Sequence, residues 1–310
     1  MSRSGIRVPE CKPCWDAEDN GQVSQREIDT GNDPYKIQLE SMDYNVSPVC
    51  NARCIICSSR FSSSWAEEDK KHGWGLDQNR VYSVVRSNCN DTDLDLSCIN
   101  RIYFNGGEPL LSREPIDMLQ RIKTVKGSLS GLHVSLNTNG SIMPDDEILA
   151  LWSECARIQI NLSIDACGQE FYYIRFPLDW NTIVENTNKL CAMGLPNLHL
   201  SMATVVGVHN FLEMHDLESW IKSLPSAESI SWGIHPAFGP FALNSIADDI
   251  KLRIKCTNLF FDQQDLVQSF LDHPGAGQSH NSWLQRLEIL DQRRGQNWRH
   301  SLPKLARFLQ

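Results

Sequence analysis

The segment Arg157-Ile-Gln-Ile-Asn-Leu-Ser-Ile-Asp165 alternates between polar and apolar side chains along its whole length. Successive side chains of a β-strand point to opposite faces, so the apolar residues here share one face and the polar residues share the other. A strand buried between two layers of helices is apolar on both faces. The alternation therefore predicts a strand that packs one face against helices and turns the other toward a polar space.

Five more strand-like runs lie on either side of this segment, with helical patterns between them. They cover residues 44–48, 99–105, 132–138, 197–206 and 229–235. Strands that alternate with helices are typical of a parallel sheet built from βα units. An antiparallel sheet with one solvated face is the alternative, and the intervening helices count against it. The sequence predicts an α/β fold, a partial (β/α)6 barrel similar to a TIM barrel, with a polar lumen.

Three regions follow from this pattern: a short N-terminal extension over 1–43, the barrel over 44–240 and a helical C-terminal tail over 241–310. The chain of 310 residues carries 38 acidic and 29 basic side chains, a formal net charge of −9. This balance gives no general attraction to a phosphate backbone, which counts against a nucleic-acid partner. The sequence has no apolar run of membrane-spanning length and no hydrophobic signal within Met1–Pro9, so we expect a cytoplasmic protein without a membrane partner.

Three cysteines follow the first predicted strand, in Cys50-Asn-Ala-Arg-Cys54-Ile-Ile-Cys57. Zinc would require a fourth ligand from the protein or from water. A cubane iron–sulfur cluster can instead use three thiolates and leave one iron open to another molecule. Ser64 followed by Glu67 predicts a capping box that opens the next helix. The loop therefore predicts a metal centre between a strand and a helix.

A second motif, Asn105-Gly106-Gly107-Glu108-Pro109-Leu110, ends the second predicted strand. Glycines let backbone carbonyl groups approach a ligand, and a carboxylate complements an ammonium group. The spacing of the cysteines, with this Gly-Gly-Glu-Pro motif one βα unit later, resembles the radical S-adenosylmethionine (SAM) superfamily. The resemblance is strong over residues 44–240 and looser outside them, where it includes the tail segment 290–295.

The resemblance implies two cofactors, a [4Fe–4S] cluster and SAM. It implies that three thiolates hold the cluster, those of Cys50, Cys54 and Cys57. Residues near three strand ends would contact SAM: Gly106, Gly107, Glu108, Asn137, Asn139 and Ser163. Glu108 would bind the SAM amino group. Arg175 resembles an arginine that follows the fourth strand in many relatives; it would pair with a carboxylate, or else form a surface ion pair.

An activity also follows from the resemblance. An external electron donor, similar to flavodoxin or ferredoxin, would reduce the cluster, and cleavage of SAM would give a 5′-deoxyadenosyl radical. That radical would abstract hydrogen from a peptide or small-molecule substrate in the polar lumen. Four lumen-facing side chains are candidates for substrate contact or proton transfer: Tyr103, Asp165, His199 and His235. For each of them, a structural hydrogen bond is the simpler interpretation.

The N-terminal pair Cys11-Lys-Pro-Cys14 resembles a segment that precedes the barrel in twitch and SPASM-related members of the superfamily. In those proteins, cysteines on both sides of the barrel help to hold an auxiliary cluster. The sequence begins ten residues before Cys11 and has no second close pair downstream, so the resemblance suggests a truncated N-terminus. We therefore expect one cluster per chain, with Cys11 and Cys14 dispensable for SAM cleavage.

Two rival functions use the same residues. One is a non-catalytic binding protein stabilised by zinc on the cysteine loop, which gives no reason for the motif at Gly106–Glu108. The other is RNA modification by the same radical chemistry, which the acidic balance and the absence of a recognisable RNA-binding module count against.

Overall fold

A computed structural model describes residues 12–25, 27, 38–73, 94–272 and 282–310 of the chain. Six strands in these residues form one parallel sheet, and each strand pairs with the next in the sequence. The strands are β1 (Ser41–Asn45), β2 (Arg101–Asn105), β3 (His133–Thr138), β4 (Arg157–Ser163), β5 (Leu198–Val206) and β6 (Ser231–Pro236). The predicted parallel sheet of six strands is confirmed.

Helices in the described residues precede, connect and follow these strands. The N-terminal and connecting helices are α1 (Lys12–Asp19), α2 (Ser63–Lys71), α3 (Glu114–Lys126), α4 (Asp146–Ser153), α5 (Gly168–Ile174), α6 (Trp180–Cys191) and α7 (Met214–Ser223). The C-terminal helices are α8 (Asp248–Lys255), α9 (Gln264–Ser269), α10 (Ser282–Arg294), α11 (Trp298–Ser301) and α12 (Pro303–Phe308). Short 3₁₀ turns lie at Pro109–Leu111, Phe211–Glu213, Ala227–Ser229, Gly239–Phe241 and Leu243–Ser245. The helical C-terminal tail is confirmed.

The strand order explains the shape of the sheet. The order β1-β2-β3-β4-β5-β6 never reverses. Because crossovers between parallel strands are right-handed, an order without reversal places all connecting helices on one face of the sheet. The sheet therefore curls as a partial barrel, with the helices outside and the opposite face turned inward. This is the predicted TIM-like fold.

The outer face of the sheet forms the hydrophobic core with the connecting helices. Alternate strand residues on this face are buried: Ile102, Phe104, Val134, Leu136, Ile158, Ile160, Leu162, Leu200 and Met202. The apolar side chains of α3 are buried against these strand residues; they include Ile116, Leu119 and Ile122. The polar residues between the buried strand positions are exposed or half-buried along β2, β3 and β4. The polar lumen is thus the inner face of the sheet.

The first strand differs from its predicted position: β1 covers Ser41–Asn45, while the strand-like run was predicted over residues 44–48. Beyond Asn45 the chain bends to meet the turn after β2. The backbone oxygen of Ser47 accepts a hydrogen bond from Gly107 N at 3.4 Å, and that of Val49 accepts one from Glu108 N at 2.8 Å. The backbone of residues 47–49 therefore contacts the glycine turn. None of the helices in the described residues is long and apolar enough to cross a membrane.

Candidate functional site

The cysteine loop lies between β1 and α2, at the carboxyl end of the sheet. Cys50, Cys54 and Cys57 line a cavity of about 480 Å³ together with residues from four strand ends and the end of α5. The other lining residues include Gly106, Gly107, Asn137, Asn139, Ser163 and Arg175. The structure therefore brings together most of the residues that the sequence assigns to the cluster and to SAM.

Helix α2 fixes one side of the cysteine loop by donating side-chain hydrogen bonds to its carbonyl groups. Ser62 Oγ donates to Ala52 O at 2.7 Å, and Ser64 Oγ donates to Cys50 O at 2.6 Å. The indole Nε1 of Trp65 donates to Cys54 O at 2.8 Å. The predicted capping box at Ser64 is wrong, because the N-cap is Ser62, whose side chain accepts from Trp65 N. Ser64 is instead the second residue of α2, and its hydroxyl donates to the cysteine loop.

The end of α5 fixes the other side of the loop. Arg53 N donates to Phe176 O at 2.6 Å, and Ile55 N donates to Ile174 O at 2.8 Å. Ile55 itself is buried. Side-chain hydrogen bonds on one side and backbone hydrogen bonds on the other hold the cysteine loop, and with it the three thiols, in position.

Burial controls the protonation of the three thiols. It raises the pKa of Cys54 to about 12 and raises the pKa values of Cys50 and Cys57 in the same direction. The guanidinium of Arg175 opposes this rise at all three thiols, and its Nη1 lies 3.9 Å from Cys54 Sγ. Because metal ligands are thiolates, binding of iron must displace the thiol protons. Arg175 then supplies positive charge beside the thiolates.

Arg175 is held in place by a buried ion pair. Its Nη2 lies 2.8 Å from Asp165 Oδ2, and Asp165 Oδ1 accepts a hydrogen bond from Val205 N at 2.8 Å. Asp165 is fully buried and Arg175 nearly so, which excludes the surface ion pair considered as the alternative. The Nε–H of Arg175 has no hydrogen-bond partner within the described residues. Arg175 therefore has one N–H group next to the cavity that is available to a ligand. Asp165 is enclosed by the protein and does not face the open lumen.

The glycine turn after β2 approaches the cysteine loop at backbone distance. Gly106 has φ +132°, and a Cβ added there would lie 2.7 Å from Val46 O. A Cβ on Gly107 would lie 2.2 Å from Val49 O. Both positions therefore require glycine, for contact with the chain that leads into the cysteine loop. Both glycines also line the cavity, as predicted for residues that approach SAM.

Glu108 is fully buried, and its carboxylate joins the glycine turn to the end of β3. Oε1 accepts from Thr138 Oγ1 at 2.7 Å and from Leu110 N at 3.2 Å, while Oε2 accepts from Asn139 N at 2.7 Å. Burial raises the pKa of Glu108, and these three hydrogen bonds oppose the rise. A carboxylate has about four acceptor sites, so one on Oε2 is left after these bonds. Glu108 lies behind the cavity wall and is not one of the residues that line the cavity.

The end of β3 is tied to the cysteine loop through side-chain amides. Asn139 Nδ2 donates to Asn51 Oδ1 at 2.9 Å, and Asn51 Nδ2 donates to Ser141 Oγ at 2.9 Å. Ser141 Oγ donates to Asn139 Oδ1 at 2.6 Å, which closes a ring of hydrogen bonds. Asn137 accepts from Asn161 Nδ2 at 2.9 Å, on the lumen face. Asn51 and Ser141 were not identified from the sequence, because their partners lie some 90 residues away.

The remaining predicted residues lie elsewhere. Tyr103 lies deeper on the lumen face of β2, where burial and the Asp43 carboxylate raise its pKa. His199 and His235 are exposed on β5 and β6, and neither lines the cavity at the cysteine loop. Cys11 lies outside the described residues. Cys14 lies on α1 as a free, half-buried thiol that does not line this cavity either.

The donors around the cavity fit an iron–sulfur cluster and SAM. No three His, Cys, Asp or Glu side chains in the described part of the chain are arranged to hold a single metal ion. A cubane takes each cysteine on a different iron, so its ligands are spread more widely than those of one ion. The unpartnered Nε–H of Arg175 suits the carboxylate of an amino acid, and the buried carboxylate of Glu108, behind the glycine turn, has the charge that complements its ammonium group.

A family model described as the radical SAM superfamily matches residues 44–221, more than half of the chain. The chain belongs to the radical SAM superfamily. Enzymes of this superfamily use a [4Fe–4S] cluster and SAM, so both predicted cofactors are confirmed at the level of the family. The structure supplies a lined cavity at the expected place for them.

Curated relatives within the superfamily include GTP 3′,8-cyclases. The chain is 22% identical over 212 residues to the GTP 3′,8-cyclase of Alkaliphilus oremlandii, which covers 65% of this chain and 61% of the relative. It is 22% identical over 179 residues to a probable GTP 3′,8-cyclase of Archaeoglobus fulgidus, which covers 57% of this chain and 53% of the relative. The chain thus spans little more than half the length of these two relatives.

Similar solved structures include anSMEcpe with bound AdoMet, at a TM-score of 0.46 and 17% identity, covering 71% of this chain and 59% of that chain. Another is Streptococcus suis SuiB bound to the precursor peptide SuiA, at a TM-score of 0.37 and 12% identity, covering 76% of this chain and 47% of that chain. At these TM-scores the likeness carries no functional argument.

A further set of residues supports the site from the C-terminal tail. Arg294 Nε on α10 lies 3.1 Å from Glu68 Oε2 on α2, and its guanidinium lies over the ring of Trp65 at 4.8 Å. Arg53, in the cysteine loop, shares the same carboxylate at 3.2 Å. The only sequence signal for this contact was the resemblance of segment 290–295 to the tail of the family. The tail thus holds α2 against the cysteine loop.

Proposed function

We propose that the protein holds one [4Fe–4S] cluster on Cys50, Cys54 and Cys57 and cleaves SAM reductively for hydrogen abstraction from a substrate in the lumen. The observation that carries this proposal is the fixed loop with three thiols on one cavity wall, facing the glycine turn. When bound, the reduced cluster and SAM supply the 5′-deoxyadenosyl radical. An external flavodoxin- or ferredoxin-like donor would deliver the electron.

The protein residues would bind and orient the cofactors. The carbonyl groups of Gly106 and Gly107 would accept hydrogen bonds from the SAM ammonium, and the buried carboxylate of Glu108 behind them would supply the complementary negative charge. The free Nε–H of Arg175 would donate to the SAM carboxylate. Asn137, Asn139 and Ser163, at the ends of β3 and β4, would contact the ribose. Ile56 and Phe61 would keep water from the cluster, because they line the same cavity with apolar surface.

The radical chemistry would be confined to residues 44–240, and the substrate would be a peptide or a small metabolite. The named relatives act on GTP, which makes a nucleotide one of the small molecules to be tested. Membership of the twitch or SPASM-related branch is a finer proposal that rests on the N-terminal cysteine pair. Under this proposal Cys11 and Cys14 hold no cluster of their own, so the double variant Cys11→Ala, Cys14→Ala should keep about four irons per chain.

The test is an anaerobic assay of SAM cleavage. The parent protein, reconstituted with iron and sulfide and reduced with dithionite, should release 5′-deoxyadenosine and methionine. The variant Cys50→Ala should release neither, and the variant Cys256→Ala, at an exposed cysteine that caps the C-terminus of α8, should behave as the parent does. A parent that carries the cluster yet forms no 5′-deoxyadenosine would refute the proposed function.

A further inference from the structure

The amino ends of three neighbouring strands carry basic side chains in one row. The register pairs Ser41 with Arg101, Arg101 with His133, and His133 with Arg157. Each of these is the first residue of its strand and lies on the lumen face, at the end opposite the cysteine loop. The row contains two guanidinium groups and an imidazole, and no carboxylate.

These side chains line a second cavity of about 360 Å³. Arg101, His133 and Arg157 are exposed at its mouth, and none of them forms an ion pair with any described residue. Arg157 Nη2 donates to Gln159 Oε1 at 3.0 Å, which directs its guanidinium along the lumen. Elsewhere, arginines such as Arg113 and Arg293 are paired with carboxylates. The mouth of the lumen therefore carries basic side chains that form no ion pair with a carboxylate of the described residues.

The side chains deeper in this cavity are polar but uncharged. Tyr103, Ser135, Gln159 and Asn161 form its wall. Burial and the carboxylate of Asp43, which pairs with Tyr103 in the register one level below the row, raise the pKa of Tyr103. The four wall side chains therefore accept and donate hydrogen bonds, and Asp43 lies beside Tyr103 on the neighbouring strand.

The lower cavity lies next to the cofactor cavity. Asn161 lines the lower cavity, Asn137 lines the upper one, and the two amides are joined by a hydrogen bond of 2.9 Å. Arg101 and Asn105 are four residues apart on β2, a separation of about 13 Å at about 3.3 Å per residue. The Asn137–Asn161 pair therefore lies at the boundary between the two cavities.

We infer that Arg101, His133 and Arg157 form a subsite for an acidic group of the substrate, a carboxylate or a phosphate, at the mouth of the lumen. The inference rests on the proposed function, because it uses the upper cavity as the place of reaction. The substrate is then an anionic molecule whose acidic group lies on the order of 10 Å from the carbon that loses hydrogen. Two planar guanidinium groups in one row suit a group with several oxygens, which each can bind through two N–H donors.

The test labels arginines with phenylglyoxal in the holoenzyme, at constant ionic strength, and reads each site by peptide mass spectrometry. The probes are inorganic phosphate and glutarate, with chloride as the reference. Phosphate, glutarate or both should slow labelling of Arg101 and Arg157, while the exposed Arg307 on α12 is labelled at an unchanged rate and serves as the internal control. Protection by phosphate alone identifies a phosphate subsite, and protection by glutarate alone identifies a carboxylate subsite.

Variants separate a charge effect from a change of shape. In Arg157→Gln, the anion concentration that half-protects Arg101 should rise at least about tenfold, because a charge-assisted hydrogen bond is lost. Arg157→Lys should retain most of the protection. Equal labelling of Arg101 with and without both anions, or equal protection of Arg307, overturns the inference. If the same parent preparation releases 5′-deoxyadenosine without anion protection, only the subsite fails; if it shows protection but no 5′-deoxyadenosine, the proposed function fails instead.

Discussion

The two ends of the half-barrel are built in different ways. At the carboxyl ends of the strands, buried side chains bond to one another: Glu108 to Thr138 and Asn139, and Asp165 to Arg175. At the amino ends, the charged side chains of the first row are exposed and form no ion pairs with the described residues. The first arrangement holds a cofactor site in one geometry before binding. The second leaves charges available to a molecule from solution.

This difference predicts where substitutions are costly. A change at the carboxyl end removes a partner from a buried group and leaves that group unsatisfied. A change of similar chemistry at the amino end removes only an exposed side chain. Matched pairs of variants, one at each end, test the comparison directly.

The largest effect should follow loss of a cluster ligand. Cys54→Ala removes one of three thiolates, and two are too few to hold a cubane with an open iron, so iron and sulfide should fall to background after anaerobic reconstitution. Cys256→Ala, at an exposed cysteine, is the control and should retain about four irons per chain. Full iron content in the Cys54 variant would remove the cysteine loop from the account.

The next effect concerns the buried ion pair. Arg175→Met leaves the carboxylate of Asp165 buried without its cation, which should lower the free energy of unfolding by about 3–5 kcal/mol. Arg157→Met, at the open end, should change it by no more than about 0.5 kcal/mol. Urea unfolding of the metal-free proteins measures both. Similar losses in the two variants would contradict the contrast between the ends.

A smaller effect is expected at Glu108. Glu108→Gln replaces an acceptor oxygen by an NH₂ group, which would face the N–H of Asn139 or the donors at Oε1. SAM affinity should fall about tenfold or more, since the negative charge that complements the ammonium behind the glycine turn is lost. Iron content should stay at the parent level. Titration with SAM measures the affinity, Glu147→Gln on the surface of α4 is the control, and equal affinity in parent and Glu108 variant would refute the proposed contact.

The smallest effect should come from Trp65→Phe. It removes the 2.8 Å hydrogen bond to Cys54 O while it keeps an aromatic ring beneath Arg294. The expected loss of stability is about 1 kcal/mol, with the same iron content but faster cluster loss in air. Tyr103→Phe, toward the open end, should leave the lifetime of the cluster unchanged. A cluster that survives equally long in both variants would show that this bond does not restrain the loop.

The alternation of apolar and polar side chains was enough to predict the sheet and its polar inner face, because every second residue of β3 and β4 is apolar or buried on the same face. The cysteine spacing and the glycine pair predicted most of the cavity wall. The position of Asp165 was not predictable in the same way. In the alternation of β4 it shares the polar face, yet it follows the last residue of the strand, is fully buried and forms an ion pair with Arg175 at the end of α5.

Contacts between distant segments could not be predicted from the sequence either. In the sequence, Asn51 and Ser141 are indistinguishable from ordinary loop residues, and only the fold brings them together. Ser62 and Ser64 both donate their hydroxyls to the cysteine loop, and only the structure shows that Ser62 is the N-cap. Local patterns therefore predicted the candidate ligands, while the residues that hold them in place required the structure.

The central claim is that three thiolates hold one cluster and leave one iron for SAM. The most direct measurement is the Mössbauer spectrum of the ⁵⁷Fe-reconstituted parent, recorded before and after addition of SAM. The account predicts that SAM shifts the signal of the single iron without a cysteine ligand and leaves the other three irons unchanged. A spectrum that SAM does not alter, or one that reports a fourth cysteine ligand, would contradict it.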